Sequence, residues 1–517
     1  MKLNNFLEIL MTKATTRLAF VFLFLLTLTS FFTMTRIAYV NELTTLTFNP
    51  VGPILATAIY YLITFKASNL IKSTKKLQLY GAVLILGYCL SIFLIGPTPY
   101  NDQGALVDVL TYLSAGVSDV LYADYLRIWN GQYKLIMVFQ LLGSNYTLFY
   151  LINIAGYVGA YFLLPSIIDK MTLKFDGEKK EKTLRSAIVA YTTFIPLALY
   201  TNFYYGESLS ITMFFVIVNS LLNIFNKEET LKDYIVIPVA ILFAALLRDF
   251  TLILLIAVSA VLLIKSDKER FLKRLIVVLS SWLMILVSSS IVNTYYKVRY
   301  DFEIKNYNSH LTWVAMGLMD RDDYATEKEM VYSQEGGHNS YNYDIVLDND
   351  FDQEAVSTQA KEAIKEELTE FVQNPIMAAK FFFNKMSKQW TEANFAGNVG
   401  ISYLEEGTSE FVIWLYTSFI RDGYEWFVKG YYCFMMLSLV VYLKNNMNNL
   451  SEIELVLLMF FVGGFLFSSF WEAKPRYNLP YFTMLIPVFS IASTQMDDRL
   501  EVIIGRLSAY LKKRKEA

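Results

Sequence analysis

The stretch Ser468 to Phe482, "SSFWEAKPRYNLPYF", lies between two apolar runs and holds Glu472, Lys474 and Arg476 within five residues. One acid beside two strong bases is the set of side-chain types that moves protons and binds anions. Similar intrusions recur: Asp102 in "PYNDQ", Glu207 in "GESL", Arg248 in "ALLRDF", and Arg127, Gln132 and Lys134 around "WNGQ". Ionised groups inside a bilayer are expensive, so charges that converge at its edge mark a candidate site. Each also has a plainer reading. Asp102 precedes the helical spacing of Leu106, Val109, Leu110 and Leu113, where an N-cap or first-turn role is open to it. Glu207 can be a helix-start carboxylate. Arg127, "WNGQ" and Lys134 fit an interfacial belt of aromatics and snorkelling bases. A belt also accounts for Trp471, Tyr477 and Tyr481, but poorly for Glu472, because a carboxylate gains little at an anionic surface unless paired.

The elements that would gather these residues are membrane helices. Of 517 residues, 55% are hydrophobic and 16% aromatic, and the mean hydropathy is +0.38, too apolar for a soluble domain. The expected fold is an all-α polytopic membrane protein of about twelve spans. They fall near 18–35, 50–66, 77–96, 146–168, 186–205, 208–225, 234–247, 250–264, 275–296, 424–443, 452–470 and 478–495. The basic clusters between them, from Lys2, Lys13 and Arg17 to the terminal "KKRK", fall on one side when twelve crossings are counted. By the positive-inside rule that side, with both termini, is cytoplasmic, in a multi-pass protein of the cell membrane.

Residues 234–264 decide the count. One long helix would place Arg248 and Asp249 at mid-bilayer, at roughly 2.5 to 3.5 kcal/mol each, and would invert every later loop. Two short helices broken at "LLRDF" put Arg248 near the outer mouth, together with Asp102, Glu207, Glu472 and Arg476. The chain then divides into residues 1–299, a membrane region with a first outer loop at 96–145; 300–409, a large extracytoplasmic loop; and 410–517, a C-terminal membrane region with a basic tail. The large loop opens on "NSHLTWVAMGLMD", with His310 and Trp313, and continues through an acidic stretch into a helical one, "STQAKEAIKEELTEFVQNPIMAAKFFFNKMSKQW", which should cap the outer face. His310 and His338, the only two histidines, lack metal-ligand spacing and read as solvated loop residues. Cys89 and Cys433 lie in apolar segments and form no disulfide framework. Nothing indicates a metal or a cofactor, and no basic stripe suits nucleic acid.

In their order, "PYNDQ", "GESL", "ALLRDF" and "WEAKPRY" resemble the GT-C membrane glycosyltransferases, in particular the family 39 and protein-mannosyltransferase-like branch of bacteria. "YLRIWNGQYKLIMVFQLLGSN" looks like the "YPNQ" stretch of that branch with substitutions, "HLTWVAMGL" and "NPIMAAKFFFNKMSKQW" look like its outer-loop segments, and the likeness runs over most of 96–495. Two features depart from it: three helices precede Asp102 where the family usually has one, and "NDQ" has a single acid where several relatives have two. The resemblance implies transfer of a sugar from a polyprenyl-phosphate-linked donor to a hydroxyl of a glycan, lipid or protein at the outer face, usually with inversion. It makes Asp102 the base and assigns the donor phosphate to Arg248, Arg476 and Lys474 with Arg127 or Lys134. Glu472, Glu207, Gln132, Trp313 and His310 would orient these groups or bind sugar or acceptor. An O-antigen-type polysaccharide polymerase or ligase, and a lipid-linked sugar transporter or flippase, are the competing classes. A transporter would be expected to show two related halves, and no internal repeat is evident.

Overall fold

The computed structural model describes residues 2–37, 44–95, 102–128, 132–319, 335–397, 414 and 419–516. The chain is almost entirely helical. Helix α1 (Lys2–Phe32) runs into a short antiparallel hairpin of β1 (Thr33–Ile37) and β2 (Thr44–Phe48), in register Thr33 to Phe48. Next come α2 (Gly52–Ile59), prolonged by a wider π turn over Tyr60–Lys66, and α3 (Thr74–Ile95). The first outer loop contains α4 (Asp102–Ser114), α5 (Asp124–Ile128) and α6 (Gln132–Leu141). Long helices follow: α7 (Tyr146–Met171), α8 (Gly177–Thr193) with the short α9 (Ile195–Leu199), α10 (Glu207–Phe225), α11 (Leu231–Leu247), α12 (Thr251–Ile264) and α13 (Phe271–Tyr300). The large loop folds as α14 (His310–Leu318), α15 (Tyr341–Asp348), α16 (Gln353–Gln373) and α17 (Pro375–Trp390). Helices α18 (Phe419–Asn446), α19 (Glu452–Phe470) and α20 (Leu479–Glu516) close the chain.

Among the described residues, seven helices are long and apolar enough to cross a membrane: α1, α3, α7, α10, α13, α18 and α19. At the other five positions expected to span, the structure places helices that are shorter or more polar: α2, α8, α11, α12 and α20. The expected segment 186–205 is not one helix. It starts earlier, at Gly177, and breaks at Phe194, because the ring of Pro196 two residues on cannot continue the ladder. The first helix stops at Phe32, where the hairpin begins, rather than at residue 35.

The break at "LLRDF" is present. Arg248 leaves α11 in an extended conformation (φ −150°, ψ 135°), and the Thr251 hydroxyl donates to the Arg248 carbonyl at 2.7 Å to open α12. The two helices have 17 and 14 residues, or ~25 and ~21 Å at ~1.5 Å per residue, both short of a ~30 Å hydrocarbon layer. Helix α10 is the most central of this group, packed on α7 and α11. It starts sharply because Gly206 takes a left-handed turn (φ +74°) that side chains avoid.

The loop helices have their own core: Ala315, Met316, Ile345, Val346, Val356 and Ala360 pack between α14, α15 and α16. The expected helical stretch after Ser357 is divided at Asn374, where Pro375 begins α17. This cap is fixed to the end of α19 at a close crossing. A methyl group on Gly317 would lie 2.6 Å from the carbonyl carbon of Trp471, so only glycine lets α14 lie there. The Gly336 carbonyl accepts the Ala473 N–H at 2.7 Å. Lys385, fully buried, donates to the carbonyls of Gly317, Ser469 (3.1 Å) and Trp471 (2.9 Å). A cation on the last carbonyls of α19 satisfies groups a helix end leaves open, and explains why α19 stops at Phe470 rather than at Pro475.

Burial pushes the Lys385 ammonium down from 10.5 to about 7, against a smaller opposing pull from Glu472. Below about 7 folded and unfolded chains both carry the proton and the burial cost is fully present. Between about 7 and 10.5 the unfolded chain binds a proton that the folded chain does not, so stability rises with pH. Thermal unfolding of wild type and Lys385→Met between pH 6.5 and pH 9 should show the wild type gaining on the variant as pH rises; parallel curves would deny Lys385 that titration.

Candidate functional site

Four segments far apart in sequence meet around the ring of Tyr205. The segment before α10 supplies Phe203, Tyr205 and Glu207. The break after α11 supplies Arg248, whose Nη2 lies 3.1 Å from the Glu207 carboxylate and whose guanidinium carbon is 5.6 Å from the Tyr205 centroid. The loop after α19 supplies Arg476, with its guanidinium carbon 4.9 Å from the same centroid, 5.8 Å from Phe203 and 5.5 Å from Tyr477. From the start of α6, the Gln132 side-chain amide donates to the Tyr205 hydroxyl at 3.2 Å. Two guanidinium groups therefore lie over one aromatic ring, which concentrates positive charge at this point of the fold.

Glu207 is 1% exposed, and among the described residues neither of its oxygens has a hydrogen-bond donor beyond the Arg248 ion pair. Its compensation rests on that one cation. Glu472, also buried, is 3.2 Å from the Lys474 ammonium and 3.5 Å from His338 Nδ1, and accepts the Tyr477 hydroxyl at 2.9 Å. Burial pushes the Glu472 carboxyl up, but Lys474, His338 and Arg476 more than offset that and hold it well below the usual carboxylate range. The pairing that a belt reading of Glu472 lacked is present. His338, expected as a solvated loop residue, is half-exposed on a loop, and the Gly336 turn that hydrogen-bonds Ala473 also carries its Nδ1 to the Glu472 carboxylate.

Lys134 joins through Asp249, which the sequence marks only as a charge at the helix break. Its ammonium is 2.5 Å from Asp249 Oδ1. Asp249 is 77% exposed, and its carboxyl is lowered: desolvation opposes this, and Lys134, Arg248 and His310 prevail. Asp102 is the first residue of α4, and its side chain lies outside the described residues. Its neighbour Gln103 is buried and accepts the Tyr204 N–H at 3.0 Å, which ties the start of α4 to the Tyr205 segment. Leu106, Val109, Leu110 and Leu113 are all buried, so that helix presents the expected apolar face.

Arg127 is engaged elsewhere. It pairs with Asp124 at 3.5 Å and lies over the rings of Phe351 (3.4 Å) and Tyr307 (4.6 Å), fastening α5 to the cap. Trp313 and His310, from α14, meet Trp471: the two indoles are parallel within 3° at 6.0 Å, and His310 is 6.3 and 6.2 Å from them. Tyr205, Asp249 and Lys385 are the residues to which sequence reasoning gave no site role. The first two adjoin residues it singled out, whereas Lys385 sits unmarked in a helix of many lysines. Chemically, the arrangement offers cations held on aromatic and acidic supports, an exposed acid paired with Lys134, and a group of stacked aromatic rings. Comparison with family models, characterised proteins and solved structures finds no match to this chain.

Proposed function

We propose that this protein is a membrane glycosyltransferase of GT-C type, which moves a sugar from a polyprenyl-phosphate-linked donor to an acceptor hydroxyl at the outer face of the cell membrane. The observation that supports it most is the meeting of Arg248 and Arg476 on Tyr205, each drawn from a different short break between membrane helices. In this reading twelve segments cross, both termini are cytoplasmic, and the cluster faces outward.

The Asp102 carboxylate takes the acceptor proton as the acceptor oxygen attacks the anomeric carbon. The bond from that carbon to the phosphate oxygen breaks with inversion, and polyprenyl phosphate leaves with the electron pair. Arg248, Arg476, Lys474 and Lys134 carry the charge that grows on the leaving phosphate. Glu207 and Glu472 keep Arg248 and Lys474 in place. An ordinary Asp, at a pKa of ~3.9, is a weak base at neutral pH, so partial desolvation near the membrane must raise it. The acceptor is a cell-envelope glycan, a lipid-linked polymer or a protein.

The test is incubation of the purified full-length protein in nanodiscs with a panel of radiolabelled polyprenyl-phosphate sugars and envelope extracts. Loss of sugar from the donor, with mass gain in one acceptor, is the expected result. Movement of intact donor across a sealed bilayer without cleavage would make the protein a flippase instead. Use only of diphosphate-linked oligosaccharides would move it to the polymerase class.

A further inference from the structure

Behind the Tyr205 segment, the turn that follows α17 is closed by a buried acid, Glu392. Phe395 (φ +54°) and Ala396 (φ +59°) are both left-handed, a backbone that residues other than glycine avoid. The Glu392 carboxylate holds them there: Oε1 accepts the Asn394 N–H at 3.0 Å and Oε2 the Ala396 N–H at 2.6 Å. The turn leans on the chain just ahead of Tyr205. The Tyr200 hydroxyl donates to the Phe395 carbonyl, and a methyl group on Gly397 would lie 2.7 Å from the Leu199 side chain. From Tyr200 a run of rings continues, to Phe203 at 5.0 Å and from Phe203 to Tyr205 at 5.4 Å, with the Arg476 guanidinium 5.8 Å from Phe203.

A cavity of about 20 Å³, room for one or two waters, opens beside the carboxylate and is lined by Glu392, by Arg36 of β1 and by Glu425 and Lys429 of α18. Both cations are directed to other partners. Arg36 pairs with Glu425 at 3.0 Å and Asp422 at 3.3 Å, Arg421 pairs with Glu425 at 3.2 Å, and the Lys429 ammonium donates to the Thr391 carbonyl at 3.3 Å. Tyr432 of α18 is the other titratable group near Glu392.

We propose that Glu392 is a positioning residue for the candidate site: its ionised carboxylate clamps the turn, and the turn, through Tyr200, fixes the segment that carries Tyr205 and Glu207. This deepens the sugar-transfer reading and rests on it for what the site binds. An ionised carboxylate offers both oxygens as acceptors, whereas the neutral acid turns one of them into a donor. Uptake of a proton therefore takes an acceptor from one N–H and a tie from the left-handed pair. Burial pushes the Glu392 carboxyl up to about 7 against the two N–H bonds, with Glu425 adding to the rise and Lys429 opposing it. The clamp closes above about 7 and loosens below it. Global stability runs the other way: between 4.5 and about 7 the folded chain keeps a proton that the unfolded chain has lost, so stability falls as pH rises.

Hydrogen exchange of residues 199–206, read by mass spectrometry on the full-length protein in nanodiscs, compares wild type with Glu392→Gln, which mimics the neutral acid, at equal pH. At pH 8 only about a tenth of the wild type is protonated, so the variant should exchange about tenfold faster, and at pH 6 the two should nearly agree. Adding Ala396→Gly frees the left-handed turn of strain, and the double variant should regain most of the protection at both pH values, which a misfolded variant would not. Methyl farnesyl phosphate, a phosphodiester of constant charge over this range, should bind wild type about fivefold more tightly at pH 8 than at pH 6, and Glu392→Gln should lose most of that dependence. Equal exchange at pH 8, a ratio that is the same at both pH values, or no recovery in the double variant overturns the clamp. Exchange as expected beside ester binding with the same pH dependence in wild type and variant overturns the positioning role. Exchange as expected with no ester binding by wild type counts against the donor assignment and leaves the clamp standing.

Discussion

Arg248→Ala should abolish sugar transfer and, separately, destabilise the protein by about 3 to 5 kcal/mol, the size of effect seen when one partner of a buried ion pair is removed. Both follow from one geometry. Glu207 is buried at the start of α10 with Arg248 as its charge partner, so the variant strands a buried carboxylate at that helix end. The two effects can be separated. Adding Glu207→Gln removes the stranded charge, and the double variant should recover most of the lost thermal stability while transfer stays absent, because only one of the two guanidinium groups, Arg476, remains at the Tyr205 ring. Thermal unfolding and a donor titration read the two quantities independently. Recovery of transfer in the double variant would demote Arg248 to a structural role.

Asp102→Asn should reduce transfer by roughly a thousandfold, within the range general-base catalysis supplies, and leave the melting temperature where it was. The substitution is informative because Asn is as good at a helix start as Asp. If Asp102 serves only α4, Asn replaces it and activity persists. If it accepts the acceptor proton, the amide cannot, and activity is lost with the fold intact. Full turnover in the variant would remove Asp102 as the base.

What the sequence disclosed was where charge was too costly to be incidental. Arg248, Glu207, Glu472 and Arg476 stood out because each interrupts an apolar run, and the positive-inside count placed them on one side before any contact was known. The break at "LLRDF" was legible for the same reason, since an unbroken helix would have carried Arg248 into hydrocarbon. What was not legible was pairing. Nothing in composition says that Lys134 takes Asp249, that His338 approaches Glu472, or that Arg127 lies over Phe351, because partners in a helical bundle are chosen by rotation and tilt rather than by spacing. Lys385 was hidden for another reason. In "KFFFNKMSKQW" it resembles its exposed neighbour Lys380, and only packing against α19 reveals it as the buried one. The hairpin of β1 and β2 was missed because its threonines continue the apolar-polar mixture of α1 without a marked turn residue.

The anchorage of the cap has a consequence for traffic. Lys385 spans three carbonyls, Gly317 leaves no room beneath α14, and Gly336 is hydrogen-bonded to Ala473, so the roof is riveted to the end of α19 beside the loop that carries Glu472 and Arg476. Swinging it away like a hinged lid would tear a buried ammonium from all of its acceptors. A molecule with a long hydrocarbon tail is then best admitted sideways, its headgroup sliding between helices while the tail never leaves the leaflet.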